Sequence, residues 1–225
     1  MSKAGLTGGF SRAVWTALAL GMGVACATAQ DQGTSFGLKG GVNLASFGSG
    51  GAFDNGDRVI SPGRRTGLIL GAFVAIPVGP SVLIQPEAVF TQKGARYTAG
   101  TEAELVYAVD YLEVPLLLKV RLGGGATRGA LFGGPAVAFR LNGTVTSRDG
   151  EEESSTDVSE MLRTVDWGVV FGGGIDVSAG SGVLTLEGRY TLGLSKLGKD
   201  LEEGQTRGSF NPRNGVLSFL VGYAF

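Results

Sequence analysis

The side chains available for chemistry in this sequence of 225 residues are restricted. There is no histidine, and Cys26 is the only cysteine. Serine-histidine and aspartate-histidine mechanisms and histidine-zinc sites are therefore excluded. A mechanism based on lysine or a carboxylate is the remaining route to catalysis. We predict a protein that is not an enzyme and that has no cofactor, catalytic residue or resident metal.

An acidic segment between Asp149 and Glu160 is the strongest candidate for ion binding. A run of this kind is usually a solvated loop. The alternative is a divalent-cation site, for which several carboxylates must converge on one ion. Consecutive glutamates do not by themselves imply such convergence, so the solvated loop is our expectation.

A second set of charged residues lies within apolar stretches, at every second position. In the segment 108–123, Glu113, Lys119 and Arg121 alternate with an unbroken row of leucine and valine. A period of two is that of a β-strand, so the charged residues share one face. We predict that they pair as a structural network in the interior of a barrel, and a proton or ion path is the alternative. The predicted network comprises Lys39, Glu87, Lys93, Glu113, Lys119, Arg121, Arg140, Asp166, Asp176, Glu187 and Arg189.

Eight alternating segments position these residues. Short links follow the second, fourth and sixth segments, and long polar links follow the others, which is typical of the periplasmic turns and external loops of a membrane barrel. A soluble β-sandwich is the alternative. We predict an all-β fold, an eight-stranded antiparallel up-and-down transmembrane β-barrel whose lumen is just wide enough for side chains. The predicted strands are 36–45, 66–77, 81–97, 108–123, 129–145, 164–178, 182–196 and 213–225.

The last of these segments ends the chain on an aromatic residue. Its alternating residues Phe219, Val221, Tyr223 and Phe225 form an apolar outer face, and Ser218, Gly222 and Ala224 lie between them. We expect the barrel-assembly machinery to read these four outer residues as an assembly signal. The aromatic rings also suit a membrane interface.

The amino terminus has the features of a secretory signal peptide. Lys3 and Arg12 precede an apolar run, and Ala27-Thr28-Ala29 forms a small-x-small cleavage site. We predict a signal peptide over 1–29 and a barrel domain over 30–225. Attachment of lipid to Cys26 is the alternative, but Gly23 stands where such a site normally has a large aliphatic residue.

Composition narrows the choice of partners. The predicted mature chain has 17 basic and 20 acidic residues, a formal charge of −3, which gives no indication of nucleic-acid binding. It contains no apolar run of 18 or more residues, so a membrane-spanning mature chain must be a closed barrel. Glycine, with 40 residues, suits tight turns and crowded strand faces.

Several phrases resemble the PorT-like outer-membrane β-barrel family. They are Gly37-Leu-Lys-Gly-Gly-Val-Asn43, Leu83-Ile-Gln-Pro-Glu87, Gln92-Lys-Gly94, Tyr111-Leu-Glu-Val-Pro-Leu-Leu-Leu-Lys119, Gly133-Gly-Pro135, Asp166-Trp-Gly-Val-Val-Phe-Gly172 and Arg189-Tyr-Thr-Leu-Gly-Leu194. The resemblance runs through all eight strands. It implies a small barrel in the outer membrane of Bacteroidetes-like bacteria, and it implies no particular activity.

The expected function follows from these features. We predict a monomeric barrel with its amino and carboxyl termini in the periplasm. Its predicted partners are outer-membrane lipid, the assembly machinery and an envelope protein complex, with no nucleic acid. It would serve envelope structure, adhesion or a secretion-associated complex. A narrow channel for ions or small solutes is the alternative.

Overall fold

The computed structural model describes residues 33–47, 53–54, 59–60, 63–99, 103–149, 152–159, 162–195 and 213–225. The predicted signal peptide and its cleavage site lie outside this part of the chain. Among the described residues there is no helix with the length and apolarity needed to cross a bilayer.

The described residues form eleven strands, and those of the barrel wall alternate apolar with polar or small residues. They are β1 (Ser35–Phe47), β2 (Phe53–Asp54), β3 (Val59–Ile60), β4 (Arg65–Pro77), β5 (Val82–Ala99), β6 (Ala103–Leu122), β7 (Thr127–Asp149), β8 (Glu152–Asp157), β9 (Val165–Ala179), β10 (Gly182–Gly193) and β11 (Asn214–Ala224).

Eight of these strands close into an antiparallel barrel. The order is β6-β5-β4-β1-β11-β10-β9-β7, and pairing of β6 with β7 completes the ring. The first and last strands are neighbours, with Gly37 opposite Ala224. The predicted fold class is confirmed.

The two ends of the barrel differ. Short links at 78–81, 123–126 and 180–181 lie at the end where β1 begins and β11 finishes, and we call this the turn end. The opposite end, where β1 finishes and β5 gives way to β6, is the loop end.

The predicted long loop over 98–107 is wrong. β5 continues to Ala99 and β6 begins at Ala103, so the link between them is short. β7 likewise continues beyond the predicted boundary and forms a hairpin with β8. These strand ends contain polar residues that interrupt the alternation of apolar residues, so the sequence pattern does not indicate strands. The backbone pairing nevertheless continues beyond the apolar part of the wall. We call the extended ends of β5, β6 and β7, together with β8, the loop-end sheet.

The barrel wall has an apolar outside and a polar inside. Outward side chains such as Leu116, Leu131 and Phe171 are more than half exposed, as expected of a lipid-facing surface. Large inward side chains lie opposite glycine on neighbouring strands: Lys39 faces Gly222, and Arg189 faces Gly172. Glycine therefore leaves room for long charged side chains within a narrow lumen.

Candidate functional site

Seven charged side chains form one continuous chain of ion pairs through the lumen. Their order alternates in sign, and we call them the ion-pair chain: Arg189, Glu87, Lys39, Glu187, Lys119, Asp176 and Arg121. Five of the six links have nitrogen-oxygen distances of 2.7–3.1 Å, and the Lys119–Glu187 link is longer at 3.6 Å. Four bases and three acids leave one positive charge.

Glu87 is the most highly connected member. Its carboxylate accepts hydrogen bonds from Lys39 Nζ at 2.8 Å, Gln85 Nε2 at 2.8 Å and Arg189 Nη1 at 2.7 Å. Glu187 accepts a second bond from Lys39 Nζ at 2.7 Å. Lys39 also lies 4.7 Å above the centre of the Phe73 ring, which is a favourable position for a cation.

Three further charged residues lie closer to the loop end. Lys93 donates to Glu113 and lies above the Tyr111 ring. Asp166 accepts from Asn214 Nδ2 at 3.2 Å and has no ion pair within 4.0 Å among the described residues. One base and two acids give this group a negative charge, which offsets the positive charge of the ion-pair chain.

A small cavity lies beside this second group. Its volume of about 10 Å³ is room for about one water molecule. Lys93, Glu113 and Asp166 line it. Asp166 Oδ1 is buried without a hydrogen-bond partner in the described protein, and a water molecule in the cavity would suit this acceptor.

Arg140 lies apart from the other predicted members. Its Nε donates to the carbonyl of Arg163 at 3.3 Å rather than to a carboxylate. The register between β6 and β7 shifts at Asp110 and Tyr111, close to the loop end, where Arg140 is half-buried. Without Arg140, the inward set has five bases and five acids.

Apolar layers lie above and below the charged part of the lumen. At the loop end a cluster contains Phe47, Ala95, Tyr97, Val109, Tyr111 and Ala138. At the turn end another contains Phe73, Ala75, Leu83 and Ala224. The sequence reasoning missed the loop-end layer, although Tyr97 and Val109 keep the inward alternation of their strands.

The side chains of the ion-pair chain are almost inaccessible to water. Lys39, Glu87 and Arg189 are 0% exposed, and Glu187, Lys119 and Asp176 are at most 4% exposed. A continuous aqueous passage would leave them in contact with water. Arg121, at 23%, is the only partly exposed member and lies near the turn end.

Three of the residues predicted as an assembly signal lie on the outer face of β11, and the fourth, Phe225, follows the strand directly. Phe219, Val221 and Phe225 are more than half exposed. Tyr223 is half-buried and donates its hydroxyl to the carbonyl of Ala179 at 2.9 Å. The amide of Phe225 donates to Phe36 at 2.7 Å, so the end of the chain is held against β1.

The acidic segment forms part of the loop-end sheet. Its described carboxylates lie along β8, where alternate side chains point to opposite faces. In the described part of the chain, no group of three or more acidic or cysteine residues gathers as metal ligands. The hydroxyl and the amide N–H of Ser159 hold the pKa of Asp157 below its usual value.

A closed antiparallel barrel with an apolar outside and a charged, packed inside defines an integral barrel of a bacterial outer membrane. The sequence agrees at the family level. Residues 28–198 match the family described as Outer membrane protein beta-barrel domain. This chain therefore belongs to that family, and the outer membrane is its location. No curated protein matches the sequence significantly.

Solved outer-membrane barrels are similar in fold. OprG from Pseudomonas aeruginosa is 14% identical, with a TM-score of 0.45, and the match covers 86% of this chain and 97% of that one. Neisserial surface protein A is 14% identical, with a TM-score of 0.44, and the match covers 86% and 100%. Ail of Yersinia pestis is 9% identical, with a TM-score of 0.40, and the match covers 85% and 99%.

Proposed function

We propose that this protein is a non-conducting, non-enzymatic barrel that anchors the loop-end sheet in the outer membrane. The observation that carries the proposal is the exclusion of water from the ion-pair chain. Six of its seven side chains are at most 4% exposed. A lumen filled in this way serves as a rigid support rather than as a path for solutes.

The pairing of charges explains how the lumen tolerates so many ionic groups. A buried charge without a partner costs several kcal/mol, whereas alternating neighbours offset one another. Mutual attraction also holds the surrounding strands together, because the links join β1, β5, β6, β9 and β10. This arrangement favours a structural role over the alternative of a channel.

The remaining parts of the proposal concern processing, orientation and partners. Cleavage after Ala29 would leave both termini at the turn end, in the periplasm, and the loop-end sheet outside the cell. We further propose membership of the PorT-like group and a monomeric barrel, with the assembly machinery acting through β11. Its contribution would be to envelope structure, adhesion or a secretion-associated complex.

A conductance measurement in a planar bilayer distinguishes a closed structural barrel from a channel. Purified protein is inserted into a planar bilayer and current is recorded over a range of voltages, with a trimeric porin as the positive control for the bilayer. We expect insertion, verified by recovery of folded protein, without steady current. A steady, reproducible unitary current from wild type would contradict the proposal.

Charge neutralisation provides a control that keeps the outer face unchanged. Glu113→Gln weakens the partner of Lys93, and Glu104→Gln changes an acid of similar chemistry in the loop-end sheet. If the lumen conducted, Glu113→Gln would alter ion selectivity and Glu104→Gln would alter it less. A closed lumen gives no steady current with either variant.

A further inference from the structure

The strand β8 is the free edge of the loop-end sheet. It pairs with β7 through Thr144–Asp149, and in the described part of the chain no other strand lies against it. All six of its residues are exposed. A strand of this kind presents unpaired backbone groups, which are a template for another strand.

The hydrogen-bond pattern identifies which groups of β8 are available. Val158 N donates to Gly143 O at 2.9 Å, and the amide of Gly143 donates to Ser159 Oγ. The first bond places positions 158 and 143 where a hydrogen-bonded pair of the ladder falls. In an antiparallel ladder such pairs alternate with non-hydrogen-bonded pairs. The N–H and C=O groups of Glu153, Ser155 and Asp157 therefore point away from β7. As far as the described residues extend, three donors and three acceptors are thus available along one edge.

Side-chain contacts agree with this assignment. Ser155 Oγ lies 2.9 Å from Thr146 Oγ1, and Glu153 accepts from Arg148 Nη2 at 2.5 Å. Ser155 lies directly opposite Thr146, and Glu153 lies directly opposite Arg148. Directly opposed side chains come closest in non-hydrogen-bonded pairs, so both contacts fit positions of that kind.

The charge of the edge indicates its partner. The segment 144–157 has one basic residue, Arg148, and five acids. No ion pair within 4.0 Å joins Glu152 or Asp157 to a base among the described residues, and Asp157 is held by Ser159 instead. Pairing with a second copy of β8 would bring like charges together, which is unfavourable. A basic strand would instead meet uncompensated carboxylates on both faces.

We propose that β8 binds an extended, lysine- or arginine-bearing segment of a partner protein by strand addition. The partner's backbone would pair with the three outward positions of β8, and its basic side chains would meet the adjacent carboxylates. This inference rests on the proposed function, because it names the kind of partner that the anchored sheet presents outside the cell.

The test uses a synthetic peptide that alternates lysine and threonine. A length of about eight residues spans a strand of this size. Binding to the full-length protein in detergent micelles is measured by isothermal titration calorimetry at low and moderate salt. A peptide with alternate N-methylated amides lacks the donors for pairing, and a glutamate-threonine peptide has the wrong charge. We expect only the unmodified basic peptide to bind, and more weakly as salt is added.

Two variants at one position separate strand pairing from simple charge attraction. Ser155→Pro removes an outward N–H and obstructs the edge, whereas Ser155→Ala keeps the N–H and loses the same hydroxyl. The backbone N–H of residue 155 does not donate to β7, and proline is tolerated at such edge positions. We expect Ser155→Ala to bind as wild type does, and Ser155→Pro to bind about tenfold more weakly or worse.

Three results would overturn the inference. The first is no binding of the basic peptide to wild type. The second is equal binding of the N-methylated peptide with no effect of Ser155→Pro, which would indicate charge attraction alone. The third is a dimer detected by light scattering that Ser155→Pro abolishes, which would make a second copy the occupant. Conductance tests the closed barrel independently, so each proposal can fail without the other.

Discussion

Replacing Glu87 by glutamine should destabilise the barrel far more than the same change at a partly exposed acid. Glu87 is the only carboxylate within ion-pair distance of Arg189 among the described residues, and both side chains are 0% exposed. Lys39 retains Glu187 as a partner. The variant therefore leaves one buried guanidinium uncompensated, at a cost of about 3–5 kcal/mol, or less if water enters.

Glu104→Gln is the matched control. Glu104 also contacts two arginines, but its side chain is 20% exposed and those of Arg96 and Arg148 are 53% and 51% exposed. Exposed pairs of this kind contribute about 0.2–1 kcal/mol. The double variant Glu87→Gln with Arg189→Met removes both buried charges, so it should recover most of the loss.

Urea unfolding in detergent measures these differences. Trp167 is 60% exposed on the outer face, so its fluorescence reports on loss of the apolar environment. Migration on unheated gels, which distinguishes folded from unfolded barrels, provides a second probe. If Glu87→Gln costs no more than Glu104→Gln, or if the double variant is less stable than the single one, the ion-pair chain does not stabilise the barrel as we argue.

The remaining predictions concern assembly, wall packing and processing. Deletion of Phe225 should reduce the yield of folded, membrane-inserted protein, because it removes the outer aromatic ring and a backbone bond to Phe36; normal yield on unheated gels would contradict this. Gly172→Ala should cost about 1–3 kcal/mol in urea unfolding, because the added Cβ would overlap the backbone of Gly188 and Arg189. Gly124→Ala, at a turn with open space around it, is its control, and equal stability of the two variants would be evidence against the packing. Mass spectrometry of the mature protein should show a chain that begins at Gln30, and a lipid on Cys26 would refute that prediction.

Alternation in the sequence was sufficient to predict the eight barrel strands and the inward position of most charged residues. It could not predict which charges pair, because the links join strands that are distant in sequence. Lys39 meets Glu87 48 positions away and Glu187 148 positions away. The stagger between neighbouring strands determines which charged side chains lie within ion-pair distance. The sequence of a single strand does not specify that stagger.

The extended strand ends and the position of Arg140 could not be predicted from the sequence, for different reasons. The ends of β5 and β6 looked like a polar loop because Arg96 and Glu104 interrupt the apolar pattern, although backbone pairing continues there. Arg140 matched the inward period, but it lies opposite Tyr111 near the loop end and donates to the carbonyl of Arg163. Periodicity along one strand does not reveal which groups the neighbouring segments bring to the same depth.

Cysteine labelling tests the closed lumen most directly. In Ser218→Cys the thiol replaces the hydroxyl of a residue that is 1% exposed, and this hydroxyl donates to Asn43 inside the lumen. In Ser154→Cys the thiol lies on the exposed strand β8. A small, positively charged methanethiosulfonate reagent is added to folded protein in membranes. We predict rapid labelling of Ser154→Cys and labelling of Ser218→Cys only after unfolding. Labelling of both at similar rates in the folded barrel would show an aqueous passage and contradict the account.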